Sequence, residues 1–385
     1  MHQESTLSEE RGPETIRRRS FVIISGYHDY RSERRANLHF IADELKKRGE
    51  VSFLSIRYSL LSRYRDDPRH KLWHLANRFE EVGGVRCYLW RTPVHPFRLP
   101  TPLAPIERVS FSLFSKYLPK PMCEALERAD VVFVESGMSI IYAPMIKRMN
   151  PKASIIYMAS DSLSAIRQAG AIKDAFEANA SLFDSARLPS PLLARDLPPG
   201  IRCYYIPHGI DKARFEKIEP SPYTPRSLNA VSVGSMLFDP SFFEAAGSLF
   251  PSVTFHVIGS GYSGAAPPNV RYYSEMPFKM TLPYLKHCSF AVAAYGQGID
   301  SYLTHTSMKL MQYNYLGIPA VCPQAVVGAD MGRFGYRVGD RGSIRSAIEK
   351  ALASPRISPH RYLSWEEVTD RLLRPEEYED TAIIS

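Results

Sequence analysis

An aspartate, a lysine and a knot of arginines stand where they could act on a phosphorylated substrate. Asp161 directly follows the strand end Tyr157-Met158-Ala159-Ser160. A carboxylate at a strand end either caps the next turn or acts as a general base on a hydroxyl. Lys309 falls in the first turn of a helix expected near 306–316, which Thr306 or Ser307 would cap. The helix macrodipole disfavours a cation there by roughly 0.3–1 kcal/mol. Free N–H groups with a lysine beside them suit a phosphate. A solvated lysine on an exposed turn is the plain alternative. Arg31, Arg34 and Arg35 crowd the start of another helix, and a diphosphate on an acceptor would relieve their repulsion. Solvated surface arginines would look the same. His28 and Asp29 in that loop are either catalytic or hold the turn.

Further candidates follow other apolar runs. Glu275, after residues 270–273, could accept both ribose hydroxyls of a nucleotide or start a helix. Tyr295, after 290–294, could stack on a base or touch a phosphate. Met236, after Gly234-Ser235, could line the same pocket. Gly259-Ser-Gly261-Tyr-Ser-Gly264 has dinucleotide-motif spacing, but Pro267 and Pro268 leave no room for the helix that motif opens. It reads as a tight turn. No D-x-D and no zinc-type spacing occurs, so neither a metal nor another cofactor is expected.

These residues can meet only if the chain builds a cleft. Residues 21–25 and 51–56 read as buried strands around a helix over 35–48, with Leu38, Ile41 and Leu45 as its apolar stripe and Gly49 as its end. That order is a βαβ unit and implies a parallel sheet. Strands are expected again at 129–135, 153–158, 182–188 and 203–206. A second alternating run starts at Asn229, with strands at 230–234, 253–259, 270–273, 290–294 and 318–322. Its helices fall near 240–249, 279–287, 306–316 and 341–353. Ser364 with Glu367 is a capping box, so 365–373 is a terminal helix. The fold class is α/β, two Rossmann-like domains facing a cleft. The expected division is a mobile tail over 1–19, a first domain over 20–207, a linker over 208–228, a second domain over 229–360, and a helix and tail over 361–385. In such sheets ligands sit beyond the carboxyl ends of the strands.

Composition narrows the class. The 385 residues are 44% hydrophobic and 23% charged, as in a soluble globular protein, with a net charge of +8 that suits an anionic partner. No run is long enough to span a bilayer, and no signal-peptide core follows the N-terminus. Cys87, Cys123, Cys203, Cys288 and Cys322 are scattered and odd in number, as expected of free thiols in a reducing cytoplasm. Residues 57–120 interleave arginines such as Arg57, Arg91, Arg98 and Arg108 with Trp73, Trp90, Phe97, Phe111 and Tyr117. A membrane interface, single-stranded nucleic acid, or core aromatics beneath a solvated basic face would each use such a segment. The membrane surface is the preferred reading, with nucleic acid set aside.

Longer stretches carry a family resemblance. Gly234-Ser-Met-Leu-Phe-Asp-Pro, Phe255-His-Val-Ile-Gly-Ser-Gly, Ser307-Met-Lys-Leu-Met-Gln-Tyr and Gly317-Ile-Pro-Ala-Val-Cys-Pro are similar to the GumK-type glucuronosyltransferases. So are Arg34-Arg-Ala-Asn-Leu-His-Phe-Ile, Tyr88-Leu-Trp-Arg-Thr-Pro-Val-His-Pro-Phe and Ala159-Ser-Asp-Ser-Leu-Ser. The likeness runs in order from about residue 20 to 375. It implies a glycosyltransferase-B fold whose C-terminal helix returns to the first domain. It implies an inverting, metal-independent enzyme held peripherally at the cytoplasmic face of the inner membrane. The implied reaction moves glucuronic acid from UDP-glucuronate to a mannose of a polyprenyl-diphosphate-linked oligosaccharide, in exopolysaccharide biosynthesis. Asp161 would be the base, and Glu275, Tyr295, Met308, Lys309 and Gln312 the UDP site, with Met236 nearby. Residues 296–305 and the tail before residue 20 depart from the family pattern. The alternatives are a different UDP-sugar or acceptor, or a nucleotide-sugar sensor without catalysis.

Overall fold

A computed structural model of the protein describes residues 18–64, 67–329 and 332–381. The expected tail lies outside the described residues as far as residue 17. The first sheet comprises β1 (Arg19–Ser25), β2 (Gly49–Ser59), β3 (Phe79–Val82), β4 (Val85–Thr92), β5 (Val131–Glu135), β6 (Ser154–Met158), β7 (Ser185–Leu188) and β8 (Cys203–Tyr205). Its order is β3-β4-β2-β1-β5-β6-β7-β8, parallel except for the edge strand β3. The run 85–90 reads as a strand in the sequence and lies in β4, but its antiparallel partner β3 was not expected; Gly83 and Gly84, both at positive φ, supply the two-residue turn. The helices of this half are α1 (Asn37–Leu45), α2 (Ala104–Phe114), α3 (Lys120–Glu127), α4 (Ala143–Met149) and α5 (Gly170–Ala178).

Local chemistry explains two departures from the sequence reading. Helix α1 stops at Leu45, and Gly49 instead opens β2. A Cβ at Gly49 would lie 2.1 Å from the Arg19 carbonyl oxygen, so only glycine lets β1 and β2 pair there. At its start α1 has Ala36, which cannot cap. His39 does the work instead: its Nδ1 accepts the Ala36 N–H at 3.0 Å, and its Nε2 reaches the Asp29 carbonyl at 2.8 Å.

The second sheet comprises β9 (Leu228–Val233), β10 (Val253–Ile258), β11 (Val270–Tyr273), β12 (Phe290–Val292), β13 (Ala320–Pro323) and β14 (Arg333–Tyr336), ordered β11-β10-β9-β12-β13-β14 and all parallel. Strand β14 is an addition to the sequence reading. The helices here are α6 (Pro240–Leu249), α7 (Phe278–His287), α8 (Leu303–Thr306), α9 (Met308–Tyr315) and α10 (Arg341–Ala353). No helix follows Gly259–Gly264; the next element is β11. Each sheet reverses its strand order at one point, β1/β5 in the first and β9/β12 in the second, and both reversals open a crevice at the carboxyl ends.

Helix α11 (Trp365–Leu373) crosses back to the first domain. Its capping box forms, with Ser364 N–H to Glu367 Oε2 at 2.6 Å and Glu367 N–H to Ser364 Oγ at 3.2 Å. Trp365, Val368 and Leu372 share a core with Leu38, Ile41 and Leu45. The Phe40 and Trp365 rings stack at 5.0 Å. All five cysteines are free thiols. No helix among the described residues is long and apolar enough to cross a membrane.

Candidate active site

Ser25, Glu135 and Asp161 lie at or just past the carboxyl ends of β1, β5 and β6. Ser25 Oγ donates to Glu135 Oε2 at 2.6 Å and accepts the N–H of His28 at 2.8 Å. His28 Nε2 stands 3.5 Å from Glu135 Oε1. The Asp161 N–H reaches Ser136 Oγ at 3.2 Å, which ties the loop after β6 to the end of β5. A cavity of about 390 Å³ opens here, lined by Tyr27, His28, Arg57, Arg98, Asp161 and Arg167 among others. Burial raises the Asp161 carboxyl above its ordinary value, opposed by the Tyr302 phenol and by His28. Burial pulls the His28 imidazole down to about 4, so it is neutral at physiological pH. Burial also pushes Glu135 up to about 8 against the Ser25 hydrogen bond, so Glu135 keeps its proton at pH 7. In this acid half, Asp161 is the carboxylate that lines the cavity and can take a proton.

In the second domain the candidate cation stands at the start of α9. Ser307 caps α9, its Oγ accepting the Leu310 N–H at 3.3 Å, and shares a 2.5 Å hydrogen bond with the Tyr295 phenol. Lys309 is not the solvated lysine of an exposed turn. Its Nζ is sealed from solvent, has no hydrogen-bond partner among the described residues, and lies 5.3 Å from the centre of the Tyr295 ring. Burial alone pulls it down to about 8. Tyr295 is 0% exposed, so its ring is a floor beneath the lysine and not a surface on which a base could stack. Met308 and Gln312 line a second cavity of about 370 Å³ with Arg35, Phe40, Phe278 and Trp365. Met236 is half exposed in the turn that Gly234 begins at φ +92°.

The arginine loop divides in two. Arg31 forks the Asp29 carboxylate at 2.8 and 2.9 Å, and Ser55 Oγ adds a bond at 2.8 Å. Both partners are buried and hold the loop after β1; they line neither of the two cavities, unlike His28. The cause is desolvation: a buried carboxylate needs its donors, and Arg31 supplies them. Arg35 pairs with Asp43 yet still borders the second cavity. Arg34 reaches across the cleft to Glu275 at 3.2 Å.

Three more contacts tie the halves together. The Tyr302 phenol donates to Asp161 Oδ1 at 3.1 Å, Ser190 Oγ meets His305 Nδ1 at 3.2 Å, and Arg195 pairs with Asp300. Sequence reasoning missed Ser25, Glu135 and Tyr302. Glu135 ends a buried run, so the strand-end rule that singled out Asp161 would have found it. Tyr302 lies in the stretch 296–305 and gave no signal in type or spacing.

Two parallel α/β domains, each with a strand-order reversal and joined across a cleft by contacts such as Tyr302 to Asp161, define a glycosyltransferase of the B fold. Solved structures agree on the architecture. Trehalose-6-phosphate synthase OtsA superposes with a TM-score of 0.59 at 10% identity, over 92% of this chain and 95% of that one. A UDP-forming trehalose-phosphate synthase from Burkholderia xenovorans gives 0.57 at 12% identity, over 93% and 95%. The family model of the N-terminal domain of glucuronosyltransferase GumK matches residues 23–189. The UDP-glucuronate:glycolipid 2-beta-glucuronosyltransferase of Xanthomonas campestris pv. campestris is 43% identical over 373 residues, 96% of this chain and 92% of that protein. The chain belongs to the GumK glucuronosyltransferase family and is a UDP-dependent glycosyltransferase.

Proposed function

We propose that the protein transfers glucuronic acid from UDP-glucuronate to a mannose hydroxyl of a polyprenyl-diphosphate-linked oligosaccharide, with inversion, in exopolysaccharide assembly. The observation that carries this is Asp161: it lines the first-domain cavity and is touched by Tyr302 from the second domain. Asp161 removes the acceptor hydroxyl proton as that oxygen bonds to the anomeric carbon from the face opposite UDP. The bond from that carbon to the diphosphate breaks, and UDP leaves with the electron pair. Lys309 and the first N–H groups of α9 offset the charge that grows on the diphosphate. Met308, Gln312, Glu275 and Met236 hold the nucleotide around them, and Tyr295 supports the lysine. His28 faces the acceptor side, while Arg35 borders the cavity of Met308 and Gln312 on the donor side.

The first domain is the acceptor and membrane half, residues 20–207, and the second, 229–360, the donor half. Exposed apolar side chains concentrate between Leu60 and Tyr117, mixed with arginines and lysines, which suits peripheral attachment to the cytoplasmic face of the inner membrane. The test is transfer by purified protein from UDP-glucuronate to a mannose-terminated glycolipid, read as UDP release and as the anomeric configuration of the product. UDP binding without transfer to any acceptor would favour a nucleotide-sugar sensor instead.

A further inference from the structure

Helix α2 buries Phe111 and, beside it, the charged Glu107, 3% and 4% exposed, yet leaves Ile106, Val109 and Leu113 about three-fifths in solvent at 60%, 59% and 62%. The buried carboxylate has a structural job. Its Oε2 accepts the Leu99 N–H at 2.7 Å and its Oε1 the Ala171 N–H at 3.2 Å. Glu107 thereby pins the loop 93–100 to α2 and to the start of α5. Between that loop and the outward stripe of α2 runs an apolar groove of about 510 Å³, lined by Val94, Phe97, Leu99, Ile106, Leu113 and Tyr117.

The groove is not isolated. Pro96 and Phe97 line it on one side and line the Asp161 cavity on the other. Along that cavity stand Arg57, Arg98 and Arg167, none in an ion pair with a carboxylate among the described residues. Arg57 packs over the Tyr27 ring at 4.8 Å, which fixes its direction. One cavity therefore holds the acid and three cations, and Pro96 and Phe97 form its shared wall with the apolar groove. A flat bilayer surface would need the outward stripe but neither the concave groove nor the cations in the adjoining cavity.

We propose that this groove takes the first isoprenoid units of the acceptor's lipid, with its diphosphate among Arg57, Arg98 and Arg167. The proposal rests on the lipid-diphosphate acceptor named above and adds where that lipid lies. Guanidinium groups bind phosphate oxygens through paired N–H donors, and the apolar wall removes the adjoining hydrocarbon from water.

The experiment uses the full chain without detergent, with saturating UDP to fill the donor side. Farnesyl diphosphate, kept below its micelle concentration, and inorganic diphosphate are compared by titration calorimetry. Farnesyl diphosphate should bind on the order of 100-fold more tightly. The double variant Ile106→Ser/Leu113→Ser, altered only at exposed positions, should lose about 10-fold for farnesyl diphosphate and keep its affinity for inorganic diphosphate. Equal affinities of the wild-type protein for the two probes would overturn the proposal. So would a double variant that binds farnesyl diphosphate as the wild type does while losing sedimentation with phosphatidylglycerol vesicles, because the stripe would then serve the bilayer alone. Binding is read without turnover, so a failure of glucuronosyl transfer and a failure of the groove give separate results.

Discussion

Asp161 in the first domain and Lys309 in the second meet burial with opposite charges. Burial raises the aspartate and lowers the lysine, so each is driven toward its uncharged form. The aspartate has relief on hand, because Tyr302 reaches over from the second domain and donates to it. The lysine has none among the described residues. The difference assigns the two groups different states before substrate arrives. Asp161 is a carboxyl raised by burial whose ionised form already has a donor. Lys309 is a strained cation, and an incoming diphosphate would give its charge a partner.

The harshest way to break this comparison is Asp161→Asn. Turnover should fall by roughly 10²–10⁴ while UDP binding stays near wild type. Near-normal turnover would remove Asp161 as the base. Lys309→Met should weaken UDP binding about 10–100-fold, the scale of a lost charge-assisted hydrogen bond. It should also change how stability depends on pH. Between about 8 and 10.5 the unfolded lysine holds a proton that the folded one has lost, so wild-type stability rises with pH across that window. Thermal melts of Lys309→Met should lack that rise, and a retained rise would place the strain elsewhere.

Tyr302→Phe is the finer tool. Removing the donor that favours ionised Asp161 should move the acid limb of the kcat profile to higher pH and lower kcat about 3–10-fold. An acid limb that stays put would mean the contact is lost in the working enzyme. Glu135→Gln copies a carboxyl that already holds its proton at pH 7, so activity there should stay within about threefold. Its kcat should then be insensitive through pH 8, where the wild type loses a proton. The smallest effect belongs to Arg34→Ala. The Arg34–Glu275 pair is about two-thirds exposed on both sides and is worth at most about 1 kcal/mol. A melting shift larger than about 4 °C would show that this contact holds the cleft closed.

Much of this could be read without coordinates because it rests on local rules. Residues 365–373 announce their start by Ser364 and Glu367, and α6 and α10 fall at the ranges expected, 240–249 and 341–353. Asp161 and Lys309 stand out because a strand end and a helix start are positions of known chemistry. Strand β3 was missed because Phe79–Val82 is short and half polar, so its pairing with Val85–Thr92 shows only in space. Gly49 was misread because the collision that forbids a side chain comes from Arg19, thirty positions earlier.

The sequence by itself determined an α/β chain of two parallel sheets and the family it belongs to, and it singled out the acid and the lysine as candidates. Periodicity, caps and strand ends are properties of neighbours along the chain, so they are visible in one dimension. Only the tertiary structure decided which charges are spent on each other and which face the cavity. Asp29 and Arg31 neutralise one another in a loop wall, while Asp161, 132 residues beyond Asp29, borders the cavity and meets a phenol from the other domain. Desolvation sets that outcome, and it depends on what surrounds a group in three dimensions rather than on what precedes it in the chain.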